Sequence, residues 1–195
     1  MSRVDNRSRI IEVSCRRIDG PSSDVRKQIP DRSRAIVGVV TRVVLMCGPA
    51  GSGKSTVARR LEAEGMVRLP FDQEAWRRGI QTMPLPSDVH EEIEQELRAR
   101  LIALVAAGAD VVLDFSFWSK RGRLAYRDVL RPLGVVPETI YLATPRAIAL
   151  ERMDARSHEH ADDYALANDV AAEYFDHFEP PTADEGPLTV LGAAQ

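Results

Sequence analysis

Nine consecutive residues constrain this chain more than any others: Gly48-Pro49-Ala50-Gly51-Ser52-Gly53-Lys54-Ser55-Thr56. They follow an apolar run, Val43-Val44-Leu45-Met46-Cys47, and precede a helical pattern, Val57-Ala58-Arg59-Arg60-Leu61-Glu62-Ala63-Glu64. Strand, glycine-rich loop and helix, in that order, are the context in which G-x-x-x-x-G-K-[ST] reads as a phosphate loop. The residue types suit that chemistry. The glycines allow a tight turn that aims backbone N–H groups inward. The N-terminus of the next helix adds positive dipole. On this reading all nine residues cradle a triphosphate. Lys54 reaches the β- and γ-phosphates, and Ser55 places its hydroxyl on Mg²⁺.

The rest of the chain alternates in the same way. Strands are expected at Met66-Val67-Arg68-Leu69, Val111-Val112-Leu113-Asp114-Phe115, Thr139-Ile140-Tyr141-Leu142-Ala143 and Leu188-Thr189-Val190-Leu191. Helices are expected over 54–64, 74–80, from a cap at Ser87 or Asp88 to about Ala107, 120–130 behind Ser119, from Pro145 behind a Thr144 cap toward Arg156, and 164–178. The apolar positions Ile93, Leu97, Leu101, Leu104 and Val105 recur at helical spacing. Such alternation predicts an α/β fold with a parallel sheet and right-handed crossovers.

Ligands of open α/β sheets sit at the carboxyl ends of the strands. Two carboxylates are expected there, Asp72 after the second strand and Asp114 at the end of the third. Phosphoryl transfer needs a proton acceptor at the attacking hydroxyl and a held metal. Asp72 is assigned as the base and Asp114, with Ser55, as the metal partner; the roles are open to exchange, and Asp72 also suits a helix cap. Arginine neutralises charge on the moving phosphoryl group. Arg152 and Arg156, spaced i, i+4, are the leading candidates, with Arg123 third. Arg77, Arg78, Arg121 and Arg127 read more simply as solvated. Trp76, Phe115, Phe117 and Trp118 suit either a pocket wall or core. His158-Glu159-His160 has no recognised metal spacing.

The chain has 195 residues, with hydrophobic residues at 44% and charged residues at 28%, the composition of a folded globular protein. Two cysteines, Cys15 and Cys47, imply no disulfide framework, so a cytoplasmic setting is the expectation. No apolar run reaches membrane-spanning length, and no secretory leader is evident. Residues 1–42 hold ten basic and five acidic side chains, against 16 and 24 in the remainder. Residues 1–35 are read as a polar, poorly ordered extension and 36–195 as the folded domain.

Leu45 to Thr56, then Phe71-Asp72, then Val111 to Ser119 resemble the small P-loop kinase-like ATP-binding proteins, with Glu179-Pro180-Pro181 also typical of the group. Chloramphenicol phosphotransferase, zeta toxin and polynucleotide kinase are relatives, and many members carry an AAA-family label. The resemblance spans roughly residues 42–191. It implies a P-loop three-layer sandwich with about five parallel strands in the order 2-3-1-4-5. It also implies ATP, Mg²⁺ and transfer of the γ-phosphoryl group to a hydroxyl. Asp72 would be the base, and Arg152 and Arg156 would belong to a lid. No second acidic residue follows Asp114, which argues against a hexameric motor. The acceptor is expected to be a small molecule, and the protein a monomer or dimer. A kinase of nucleic-acid 5′-hydroxyls, supported only by the basic arm, and a slow ATP-hydrolysing switch are the alternatives.

Overall fold

The structure is a computed structural model, and it describes residues 41–80, 84–155 and 173–192. The chain divides into two units, Met1–Ile36 and Val37–Gln195, and every described residue belongs to the second. A β-like stretch of sequence at 10–13, residues 35–40 that would extend the first strand backward, the polar stretch 157–163, most of the helix expected at 164–178, Arg156, His158 and His160 lie outside the described residues.

Five parallel strands form one sheet in the order β2-β3-β1-β4-β5: β1 (Val43–Cys47), β2 (Val67–Pro70), β3 (Val111–Asp114), β4 (Glu138–Ala143) and β5 (Leu188–Gly192). The helices are α1 (Lys54–Ala63), α2 (Phe71–Arg77), α3 (Ser87–Ala106), α4 (Lys120–Leu130) and α5 (Arg146–Asp154). The expected fold and strand order are therefore observed. Among the described residues, no helix is long and apolar enough to cross a membrane.

The period of two along β1 sorts the core into two layers. Val43, Leu45 and Cys47 face a cluster with Leu69, Leu113, Ala75 of α2, Tyr126 of α4, and Ile93, Leu97, Leu101 and Val105 of α3. Val44 and Met46 face the other side, with Ala58 and Leu61 of α1, Val112, Ile140 and Leu142. A strand apolar on both faces belongs at the centre of a doubly covered sheet, and all five β1 residues are buried.

Three boundaries differ from expectation. α2 begins at Phe71, not Glu74, because Pro70, the last residue of β2, takes the N-cap position in an extended conformation. Asp72 therefore lies in the first turn and is not the cap. Likewise Pro86, without a side-chain cap bond, precedes α3, so Ser87 is its first helical residue. α5 is preceded by Pro145, and Thr144 directs its hydroxyl elsewhere. Ser119 does cap α4, its side chain accepting from Gly122 N at 3.1 Å.

Candidate active site

The loop between β1 and α1 is bent by its own residues. Gly51 has φ +74, and a Cβ there would lie 2.3 Å from Ala149 O of α5. Only glycine satisfies both the left-handed backbone and so close an approach. Ser52 N donates to Pro49 O at 3.2 Å, and Gly53 leads into α1. Two neighbours fix the loop from outside. Gly48 N donates to Ser116 O, just beyond β3, at 3.2 Å. Thr144 Oγ1, at the end of β4, donates to Ser52 O at 3.1 Å. The Lys54 ammonium folds across the loop and donates to Pro49 O at 2.8 Å.

Asp114 ends β3 at 6% exposure. Ser55 Oγ donates to its Oδ1 at 3.3 Å, and Arg68 Nη1 lies 3.5 Å from its Oδ2. The sheet register explains the second contact. Arg68 pairs with Val112, so Arg68, Val112 and Asp114 share the α1 face. The sequence reading missed Arg68. Its signal was a lone charge inside a strand that is otherwise apolar, which requires a buried partner. Thr144 was assigned a different role; a threonine before proline at a strand end gave no sign of reaching the phosphate loop.

A cleft of about 1450 Å³ opens beside the loop. Lys54, Ser55, Asp72, Asp114, Phe115, Phe117 and Trp118 all line it, so both proposed carboxylates face one space. Arg152 also approaches: its Nη1 is 4.0 Å from where a Cβ on Gly53 would lie. Hydroxyl and carboxylate oxygens at Ser55 and Asp114 form a hard donor set that suits Mg²⁺. Among the described residues no group of three or more His, Cys, Asp or Glu side chains could hold a metal; Mg²⁺ is commonly held by one or two protein oxygens together with water and substrate phosphates.

Arg123, Arg127 and Arg78 are structural. Arg123, expected as a weak candidate at phosphate or substrate, is fully buried. Its Nε and Nη2 donate to Glu185 at 2.7 and 2.9 Å. Its Nη1 donates to Phe117 O at 2.9 Å and Glu179 O at 2.8 Å. Buried charge demands such pairing, and Arg123 lines no part of the cleft described above. The hydrogen bond from Arg123 holds the Glu185 carboxyl below its ordinary range. Arg127 donates to Pro137 O and Thr139 Oγ1. Arg78 ties α2 to α3 through Glu92 and Glu96. Phe117 adopts φ +40, stacks on Phe115 and meets Tyr126 edge-on, serving as core and cleft wall together. Burial pushes the Cys47 thiol up to about 11.

A family model described as "AAA domain" matches residues 43–181. No curated protein matches the chain. Among solved structures, a sugar kinase from a Janibacter species is 25% identical with a TM-score of 0.56, over 78% of this chain and 85% of that one. A gluconokinase from Sinorhizobium meliloti is 20% identical at 0.56, over 80% and 85%. The Mycobacterium tuberculosis APS kinase CysC, in complex with AMPPNP and APS, is 22% identical at 0.56, over 80% and 90%.

Proposed function

The chain belongs to the AAA-domain family in its small, P-loop kinase-like form, and from that premise we propose that it transfers the γ-phosphoryl group of ATP to a hydroxyl of a small molecule. The observation that carries this is the shared cleft. The phosphate loop, Asp114 hydrogen-bonded to Ser55, and Asp72 all border one space of about 1450 Å³. That is larger than a typical single-ligand pocket of roughly 300–1,000 Å³ and leaves room for an acceptor beside the nucleotide. The sugar kinase and gluconokinase among the similar structures point the same way.

In this reading the loop N–H groups and Lys54 hold the β- and γ-phosphate oxygens. Ser55 and Asp114 hold Mg²⁺, which when bound offsets phosphate charge. Asp72 orients the acceptor hydroxyl and takes its proton. The acceptor oxygen forms a bond to the γ-phosphorus as the bond to the β–γ bridging oxygen breaks, and ADP leaves with that electron pair. Arg152 neutralises charge on the moving group.

Asp72→Asn keeps the shape and removes the proton acceptor. It should bind Mg·ATP about as well as the parent while turnover falls by roughly 10²-fold or more. Until the acceptor is known, slow ATP hydrolysis serves as the assay. Lys54→Ala should instead lose Mg·ATP affinity by calorimetry, because the point charge on the phosphates is gone. Full transfer by Asp72→Asn, or undiminished Mg·ATP affinity in Lys54→Ala, would overturn the assignment of that residue.

A further inference from the structure

The cleft holds a polar cluster that phosphate-loop chemistry does not use. α3 presents Ser87, His90, Glu91, Glu94 and Arg98 to it, at spacings that place them on one helix face. Glu94 Oε1 accepts from Arg98 Nη2 at 2.7 Å. The Arg98 guanidinium lies 5.0 Å over the Tyr126 ring. Beneath it, two polar atoms are left over. Tyr126 Oη and Arg98 Nε are buried, and neither makes a hydrogen bond of normal geometry among the described residues; the hydroxyl's polar neighbour is the Arg98 side chain itself, which interacts with it too loosely to satisfy it. Tyr126 is 2% exposed, so bulk water does not satisfy its hydroxyl. Burying such groups unpaired is unfavourable, and each calls for a specific explanation.

A ligand oxygen would complete the bonding of both atoms. Arg98 Nε donates, and a phenol donates or accepts. Glu94 beside them adds a hydrogen-bond acceptor for a ligand hydroxyl. The Arg98 side chain retains 34% of its exposure, so its guanidinium can turn from the ring toward an occupant. The charge of the cluster cancels, since Glu94 is paired with Arg98. Around it the cleft adds Asp72 and Glu91 against Arg121, which gives no excess of positive charge for an anion. The walls are apolar and flat: Phe115 and Phe117 pack edge-on against Tyr126 at 5.7 and 5.0 Å, and Phe71 packs on Phe115 at 5.6 Å.

We propose that Glu94, Arg98 and Tyr126 form the acceptor-recognition site, and that it takes an uncharged, polyhydroxylated small molecule with an apolar face. This rests on the phosphotransferase reading above and narrows it. Donors and an acceptor side by side match vicinal hydroxyls, and aromatic walls match the C–H face of a ring. The polyanionic 5′ end of a nucleic acid matches neither, because its recognition is dominated by cationic contacts to phosphate.

Trp118, 44% exposed on the cleft wall, supplies the readout. In the full chain carrying Trp76→Phe and saturated with Mg·ADP, its fluorescence is followed during titration. The probes are uncharged polyols (myo-inositol, glucose and related hexoses and alditols), glucuronate as the carboxylate counterpart of glucose, and a 5′-hydroxyl oligodeoxynucleotide. At least one uncharged polyol should bind saturably and more tightly than either anion. Tyr126→Phe and Arg98→Met should each weaken that binding at least tenfold while Mg·ADP affinity stays unchanged. Tyr126→Phe removes only the orphaned oxygen, so it remains a fair test should Arg98→Met fail to fold. No polyol binding with Mg·ADP bound, tighter binding of glucuronate or oligonucleotide, or full affinity in Tyr126→Phe would each overturn the proposal alone. A parent protein that binds no Mg·ADP would overturn the phosphotransferase reading and this proposal together.

Discussion

Two loops meet at the cleft, and they become rigid by opposite routes. The loop after β1 takes positive φ at Gly48, Gly51 and Gly53, so its bends cost little, and much of its bonding is local. The segment after β3 takes positive φ at Phe117, the one non-glycine residue to do so among the described residues. Such a backbone costs on the order of 1–3 kcal/mol and persists only where its surroundings over-determine it. Here they do: Arg123 grips the Phe117 carbonyl from α4, Cys47 Sγ donates to the same oxygen at 3.3 Å, and Glu179 N donates to Trp118 O at 2.9 Å. One loop carries its shape in its own residues. The other has its shape imposed by residues as far away in sequence as Glu185.

The largest expected effect tests the imposed loop. Arg123→Met leaves Glu185 buried without its partner and frees the Phe117 and Glu179 carbonyls. It should cost about 3–5 kcal/mol of stability, read as a lower urea midpoint. A loss under about 1 kcal/mol would show that the segment holds itself, and the contrast would collapse.

Next comes the self-shaped loop. Gly51→Ala adds a left-handed backbone penalty of about 1–2 kcal/mol and sets a Cβ 2.3 Å from Ala149 O. The loop must shift, so Mg·ATP affinity should fall at least tenfold by calorimetry. Unchanged affinity would mean that the cradle tolerates distortion and does not depend on its glycines.

A smaller effect concerns a side-chain hydroxyl that braces the first loop from outside. Thr144→Val removes the bond to Ser52 O and should cost about 1 kcal/mol of stability, measured by denaturant unfolding. A cost near that of Arg123→Met would erase the difference between the loops.

The smallest is a slope. Arg123 holds the Glu185 carboxyl below its ordinary 4.5. A depressed folded pKa contributes stability that is present above the ordinary value and lost as pH falls through the folded one. Unfolding free energy should therefore decline on acidification below about pH 4.5, and Glu185→Gln should flatten that limb. An identical acid limb in Glu185→Gln would show that other carboxylates carry it.

The same contrast explains what the sequence made legible. Periodicity and the glycine loop gave the strands, the long helix with Ile93 and Leu97, and the end of β3 at Asp114. These signals are local, and Lys54, Ser55, Asp72 and Asp114 indeed share one cleft. Arg123 misled because an arginine after a strand looks the same whether it meets phosphate or a carboxylate 62 residues on. Arg68 and Thr144 were hidden for the same reason: their partners, Asp114 and Ser52, lie across the sheet. Tyr126 read as plain helix, since an orphaned hydroxyl exists only once the walls around it have formed.

The strand order has a consequence for how the molecule comes into being. β2 pairs with β3 and β4 with β5, each the next strand in sequence, but β1 does not pair with β2, the strand that follows it. β1 waits for β3, with Val43 opposite Val111, and β4 waits for β5, with Thr139 opposite Leu188. At about 5–20 residues per second of synthesis, β1 and the loop behind it spend on the order of 3–14 s outside the ribosome without a strand beside them. Until then the nascent chain exposes an apolar ribbon followed by a flexible glycine turn, a stretch exposed to chaperones and to misassembly with neighbouring chains. Stalled chains ending before residue 111 should be cut readily by protease at Val43–Cys47, and resistance there at that length would contradict this order of events.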